Sequence, residues 1–109
     1  MESQVTAKTP RMAQIEALLA DDPNDPELRY FLAMEYLSAG DEPAAIAKLR
    51  ELTQNSTYVP AFLMAAQTLA RRGEEAEACT ILRKGIDEAR KQGNAHAQGE
   101  MQALLDSLE

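Results

Sequence analysis

Displaced by 33 residues, this sequence falls back on its own pattern: Gly40 lands on Gly73, Leu32-Ala33 on Ala65-Ala66, Tyr36 on Leu69, Ala45 on Ala78 and Leu49 on Leu82. The two segments, LAMEYLSAGDEPAAIAKL and AAQTLARRGEEAEACTIL, share a rhythm more than identities. A large-small pair, a large residue three on, a turn glycine, then Ala with an apolar residue four later make up the shared rhythm, with Ala65 smaller than the pattern's first position. A period of this length means that one supersecondary unit recurs and buries its apolar face against its neighbours. It therefore constrains the fold more than any single segment does.

Proline and glycine punctuation shows what the unit is made of. Proline fits the first turn of a helix, where its missing N–H costs nothing, and is expelled from the interior. Thr9-Pro10, Asp25-Pro26, Glu42-Pro43 and Tyr58-Val59-Pro60 each open a segment with apolar residues at spacings of three and four, three of them near a capping Thr or Asp. Gly40, Gly73 and Gly93 fall where such segments should stop. The pattern predicts six helices, near 10–20, 26–39, 43–55, 59–72, 75–91 and 95–108, after a polar tail over residues 1–9. Connections this short require neighbouring helices to pack antiparallel, as hairpins. Scarce aromatics (5%), no Trp and frequent Ala, Leu, Glu and Gln agree with an all-α fold.

Charge narrows the partners. Eighteen acidic against eleven basic residues give a formal charge of -7, which repels a phosphate backbone and an anionic membrane surface alike, so neither nucleic acid nor membrane is expected. The opening MESQVTAKTPRM lacks the apolar stretch of an export signal, and no apolar run is long enough to span a bilayer; a cytoplasmic location is the expectation. A lone Cys79 cannot form an internal disulfide, and is compatible with a reducing compartment.

At Leu32, Ala33, Tyr36, Ala45 and Leu49 the chain resembles the tetratricopeptide repeat family, whose helix hairpin of about 34 residues carries W-x2-L-G-x2-Y, then A-x3-F, then P. Arg29 replaces the leading aromatic in the first repeat, and Phe62 supplies it in the second. The closing Pro occurs as Pro23, in LLADDPND, ahead of the first full repeat. Ile15 and Leu18 fit the second helix of an incomplete leading repeat, so the resemblance runs from Arg11 to Arg90. It implies a right-handed stack of antiparallel hairpins in one domain over residues 10–109: a leading helix within 10–25, repeats at 26–58 and 59–92, and a cap at 93–109. In the last helix Met101, Leu104, Leu105 and Leu108 share a stripe, with Glu100, Gln102, Asp106 and Glu109 off it, as a capping helix requires.

Within YFLAMEYLSAGD, Leu32, Ala33 and Tyr36, with Leu28 before them, are expected to serve the stack. Tyr30, Met34 and Leu37 form a separate stripe, beside which Phe31 also stands. The resemblance places this stripe on the concave groove that holds peptide partners, with Leu63 and Met64 beside it and Gln67 and Arg71 continuing the strip into polar ground. A surface of Tyr, Met and Leu suits an amphipathic helix or an extended apolar segment. Some family members clamp a chaperone's C-terminal carboxylate here with Lys, Asn and Arg. Tyr30, Phe31 and Met34 stand in their place and argue against that ligand. The expectation is a non-enzymatic adaptor or co-chaperone-like module binding a protein or peptide. The alternative is that the same stripe is covered by residues 1–9 or by a second copy, making a homodimeric scaffold.

Other polar features point to ordinary structural roles. Asp21, Asp22, Asn24 and Asp25 lack the spacing, central Gly and closing Glu of a calcium loop, and no metal or cofactor is expected. Cys79 beside Ala78 reads as a small buried thiol, and His96 has no designated partner for acid–base work, so no catalytic residue is assigned. Glu74, Glu75 and Glu77 read as a solvated face. Gly85 inside a helix should cost about 1 kcal/mol relative to Ala, which points to close helix approach.

Overall fold

The computed structural model describes residues 7–109. Among these, six helices follow one another: α1 (Pro10–Asp21), α2 (Pro26–Ser38), α3 (Glu42–Asn55), α4 (Val59–Arg71), α5 (Glu75–Lys91) and α6 (Ala95–Leu108). No strand occurs among the described residues. Of the tail expected over residues 1–9, residues 1–6 lie outside the described part.

The helix starts follow from the punctuation. Thr9, Asp25 and Asp41 each accept a backbone N–H with their side chains at the starts of α1, α2 and α3, where proline occupies the first or second helical position. Asp25 takes two, from Glu27 at 2.9 Å and Leu28 at 3.2 Å. Pro60 opens α4 with no side-chain cap, and Asn94 caps α6 without proline. At the end of α2, Gly40 has φ +84, which lets its N–H reach Leu37 O (3.0 Å) and the Asp41 N–H reach Tyr36 O (2.9 Å). That paired arrangement closes the helix only when the residue past the cap is left-handed, a conformation that glycine adopts without strain. Gly73 repeats it 33 residues later, at φ +83.

The Cα envelope measures 37 × 35 × 18 Å, thin enough for two helix layers. Consecutive helices pack as hairpins, and α4 also meets α6 directly. The main core is filled by Phe62, Leu49, Leu52, Leu69, Leu82 and Met101, each at most 2% exposed. A second, smaller cluster of Met12, Ile15 and Leu32, with Leu19 and Tyr36 against it, fixes α1 to α2.

The packing confirms the expected role of Leu32 and Ala33, which are buried, while Leu28 and Tyr36 are half-buried. Tyr36 is shielded on one face by the Lys48 ammonium, 5.0 Å from its ring centroid. Glu77 departs from the solvated face read for it. Its carboxylate accepts two hydrogen bonds of 2.7 Å from the Arg50 guanidinium and so ties α5 to α3. Glu74, in the same acidic run, lies 3.8 Å from Arg50 and 3.5 Å from Arg72. Packing α3 against α5 through the shared neighbour α4 brings these carboxylates opposite an arginine 24 and 27 residues away, a relation that one helix's own periodicity does not display.

Candidate functional site: two grooves along the first helices

The side chains singled out in the sequence divide between two grooves. Tyr30 of α2 and Leu63 and Met64 of α4 line a cavity of about 170 Å³, which α6 completes with Ala97 and Glu100. Pro60 and Asn94, at the starts of α4 and α6, close one end. Phe31 and Met34 instead line a groove of about 360 Å³ between α2 and α1, where Ile15 and Leu18 form the other wall. Leu37, Gln67 and Arg71 border neither of these two grooves; Leu37 and Gln67 are half-buried and Arg71 is exposed.

Helical spacing explains the division. Tyr30 and Phe31 are about 100° apart around α2, so one turns toward α4 and the next toward α1. Tyr30 and Tyr58 meet with ring centroids 5.3 Å apart at 54°, and Tyr30 and Phe31 at 6.2 Å, also at 54°. Tilted pairs of this kind place a positive ring edge near a negative face. Burial pushes the Tyr30 phenol above its ordinary value; Tyr58 is raised first by burial, then by the carboxylates of Glu27 and Asp25 and by Tyr30. Both rings therefore stay neutral and present an apolar face with one polar tip. Tyr30, Leu63 and Met64 also pack against the main core, so this wall is braced from behind.

Tyr58, Asn94, Ala97 and Glu100 did not stand out in the sequence. Tyr58 precedes its helix and belongs to no periodic stripe. Ala97 and Glu100 become legible only when α6 is laid in register with α2 and α4 as the third helix of one layer. His96 is exposed and lies 3.4 Å from Glu100, one turn along the same helix. Cys79 is buried, as expected from its place beside Ala78. Asp25 is engaged as a helix cap, which accounts for one of the carboxylates near Pro23.

Size bears on what the α2–α4–α6 cavity can hold. Sites for drug-sized molecules occupy roughly 300–1,000 Å³. At about 170 Å³ this cavity suits one or two apolar side chains of a larger ligand. A wider, open depression at the helix ends has a mixed lining, Pro26, Tyr58, Val59 and Pro60 beside Asn55, Ser56 and Thr57, and the Gln92 side-chain amide donates to Thr57 O there at 2.8 Å. A cleft on the other layer, lined by Leu19, Leu32 and Lys48, has Arg29 and Glu51 paired at 2.6 Å on its rim. No helix among the described residues is long and apolar enough to cross a membrane.

Residues 5–59 match the model of a family described as tetratricopeptide repeat. Two solved structures are similar over most of the chain. One is the solution NMR structure of a tetratricopeptide repeat domain protein from Salinibacter ruber, at TM-score 0.74 and 28% identity, covering 81% of this chain and 90% of that one. The other is the solution structure of a protein from Bordetella parapertussis, at TM-score 0.72 and 27% identity, covering 93% and 89%. No curated protein matches the chain.

Proposed function

The chain belongs to the tetratricopeptide repeat family, whose members are in general non-enzymatic modules for protein–protein interaction, and from that premise we propose that it is an adaptor holding an apolar segment of a partner protein between α2, α4 and α6. The observation that carries this reading is the preformed cavity lined by Tyr30, Leu63, Met64 and Ala97. Its walls are braced by the core, so little side-chain ordering has to be supplied when a ligand enters. A helix or extended peptide inserting one Leu, Met or Phe there would gain about 1.5–3 kcal/mol from burying that side chain. Glu100 on the rim favours a basic residue beside this anchor.

The test is selection from a displayed peptide library on the purified protein, followed by titration of the selected peptide. A Leu63→Glu variant should lose about tenfold or more in affinity, because the introduced carboxylate must stay solvated where the anchor should sit. Equal binding by the variant would remove the cavity from the reading. The homodimer alternative predicts something else: the mass of the protein by sedimentation equilibrium should be that of a dimer and should fall to that of a monomer in Leu63→Glu.

A further inference from the structure

The two ends of the helix stack are finished differently. Beyond α5 the edge is polar, with Gln102 and Asp106 of α6 and Glu109 at its end all exposed. At the N-terminal end the corresponding edge is apolar. Leu18 of α1 is 55% exposed and Phe31 of α2 is 44% exposed, the most open large hydrophobic residues among those described. Both line the groove of about 360 Å³ that Ile15 and Met34 also line, and the Arg11–Glu35 pair (Nε to Oε2, 3.3 Å) crosses from α1 to α2 at its far end.

The internal repeat identifies what this groove lacks. Ile15 and Leu18 stand 34 residues before Leu49 and Leu52 of α3, and Phe31 and Met34 stand 33 before Met64 and Gln67 of α4. Leu49 and Leu52 are 0% and 2% exposed because α3 is held between α2 and α4. α5 is likewise held between α4 and α6. Against α1 lies α2, the counterpart of α4, but among the described residues no helix takes the place that α2 takes on α3. The exposed edge is thus an interface the chain builds again further along, without its outer half among the described residues.

We propose that the α1–α2 edge is a docking seat for an amphipathic helix of another protein, which completes the leading hairpin by lying antiparallel to α1. The register of the equivalent seat fixes the guest's chemistry. On that seat α2 meets the main core with Ala33 and Tyr30, and α4 meets it with the equivalent Ala66 and Leu63, so the guest carries a small residue at the crossing and a large apolar residue three before it. Its N-terminal end comes over the α1–α2 turn, where Asp21, Asp22 and Glu27 are exposed. The positive end of the guest's helix dipole, with Lys or Arg in its first turns, complements that acidic turn. A second copy of this chain is the poorer guest, since it brings a further formal charge of -7 to a surface that is already acidic.

The test uses a defined ligand: a synthetic peptide with the sequence of residues 24–40, NDPELRYFLAMEYLSAG, which is the helix that fills the equivalent seat on α3. A second peptide carries Glu27→Lys. Binding to the full chain is followed by fluorescence anisotropy, and backbone NMR shifts on the unmodified protein locate it without any variant. The expected result is saturable binding, shifts centred on Ile15, Leu18, Phe31 and Met34, and tighter binding of the Lys peptide at low salt. A Leu18→Glu, Phe31→Glu protein should lose about tenfold or more, whereas Leu63→Glu should not alter affinity, which separates this seat from the α2–α4–α6 cavity. Absence of saturable binding by about 1 mM peptide, or shifts confined to α4 and α6, would overturn the proposal. So would a dimer in sedimentation that Leu18→Glu dissociates, since a second copy would then hold the seat, or a large gain in affinity on deleting residues 1–6.

Discussion

Gly85 of α5 lies so close to Phe62 of α4 that a methyl group on it would sit 2.6 Å from the Phe62 Cβ. The same methyl would come 2.6 Å from Met101 Sδ of α6. The two contacts differ in kind: the methionine sulfur can swing away, whereas the Phe62 Cβ moves only with its helix. Three helices therefore meet at a point that admits no side chain. Gly85→Ala gains about 1 kcal/mol in helix propensity but overpacks this junction, at a cost of typically 1–3 kcal/mol. The expected net outcome is a loss of up to about 2 kcal/mol in denaturant unfolding. Adding Met101→Ala should recover part of that loss relative to additivity, because one of the two clashes disappears while the Phe62 clash stays.

The Arg50–Glu77 pair makes stability depend on pH in a definite direction. Hydrogen bonding to Arg50, followed by that cation's charge, holds the Glu77 carboxyl below the ordinary glutamate value, with partial burial opposing the effect. A carboxylate of this kind contributes its stabilisation above the unfolded value of about 4.3 and loses it as pH falls through the lower folded value. Both partners are more than a third exposed, so solvent screening limits the pair to about 0.5–1 kcal/mol. Glu77→Gln should lower stability by that amount at pH 7. The gap to the unmodified protein should close as unfolding is measured from pH 5 down to pH 3, roughly spanning the glutamate range. A gap that persists unchanged at the acid end would show that packing, rather than charge, carries the contribution.

Helix positions were legible in the sequence because their determinants are local. Pro10, Pro26, Pro43 and Pro60 mark starts, Gly40 and Gly73 mark stops, and the expected bounds fall within one residue of those observed. The close approach at Gly85 could also be anticipated, since an uncompensated glycine inside a helix needs a neighbour to justify it. What the sequence did not separate was the stripe of α2 into two grooves. Whether Phe31 and Tyr30 share a ligand depends on which helices flank α2, and α1 and α4 enter from segments on either side of it in the chain. For the same reason Glu100 and Ala97 could not be assigned to a wall before α6 took its place beside α4.

Cys79 offers a check on the rigidity of the α4–α5 hairpin. Its residue is 8% exposed and belongs to the main core. A thiol reagent reaches such a group only when the structure opens, so labelling of the native protein should be slow and should accelerate sharply across the denaturant transition. Gly85→Ala, which strains the same helix, should raise the native labelling rate by the factor by which it raises the unfolding equilibrium constant, if opening is global. Rapid labelling of the unmodified protein under native conditions would reveal local opening of α5 instead.

The leading helix should open before the rest. α3, α4 and α5 share the large core, whereas α1 is anchored by Met12, Ile15 and Leu32 with Leu19 and Tyr36 against them, and packs on α2. Its two surface ion pairs, Lys8–Glu16 and Arg11–Glu35, each include a strongly exposed cation and add little. Hydrogen exchange should therefore show the α1 amides protected by less than the global stability, with the slowest amides in α4 and α5. Met12, 0% exposed, is the principal anchor. Met12→Ala should cost about 2–5 kcal/mol if α1 unfolds only with the whole, and less if detaching α1 alone relieves the cavity. The second outcome would appear as rapid exchange confined to α1 while α3, α4 and α5 keep their protection. A helix supplied in trans to the α1–α2 edge should reverse that local opening, since it would give α1 the second neighbour that α3 and α5 already have.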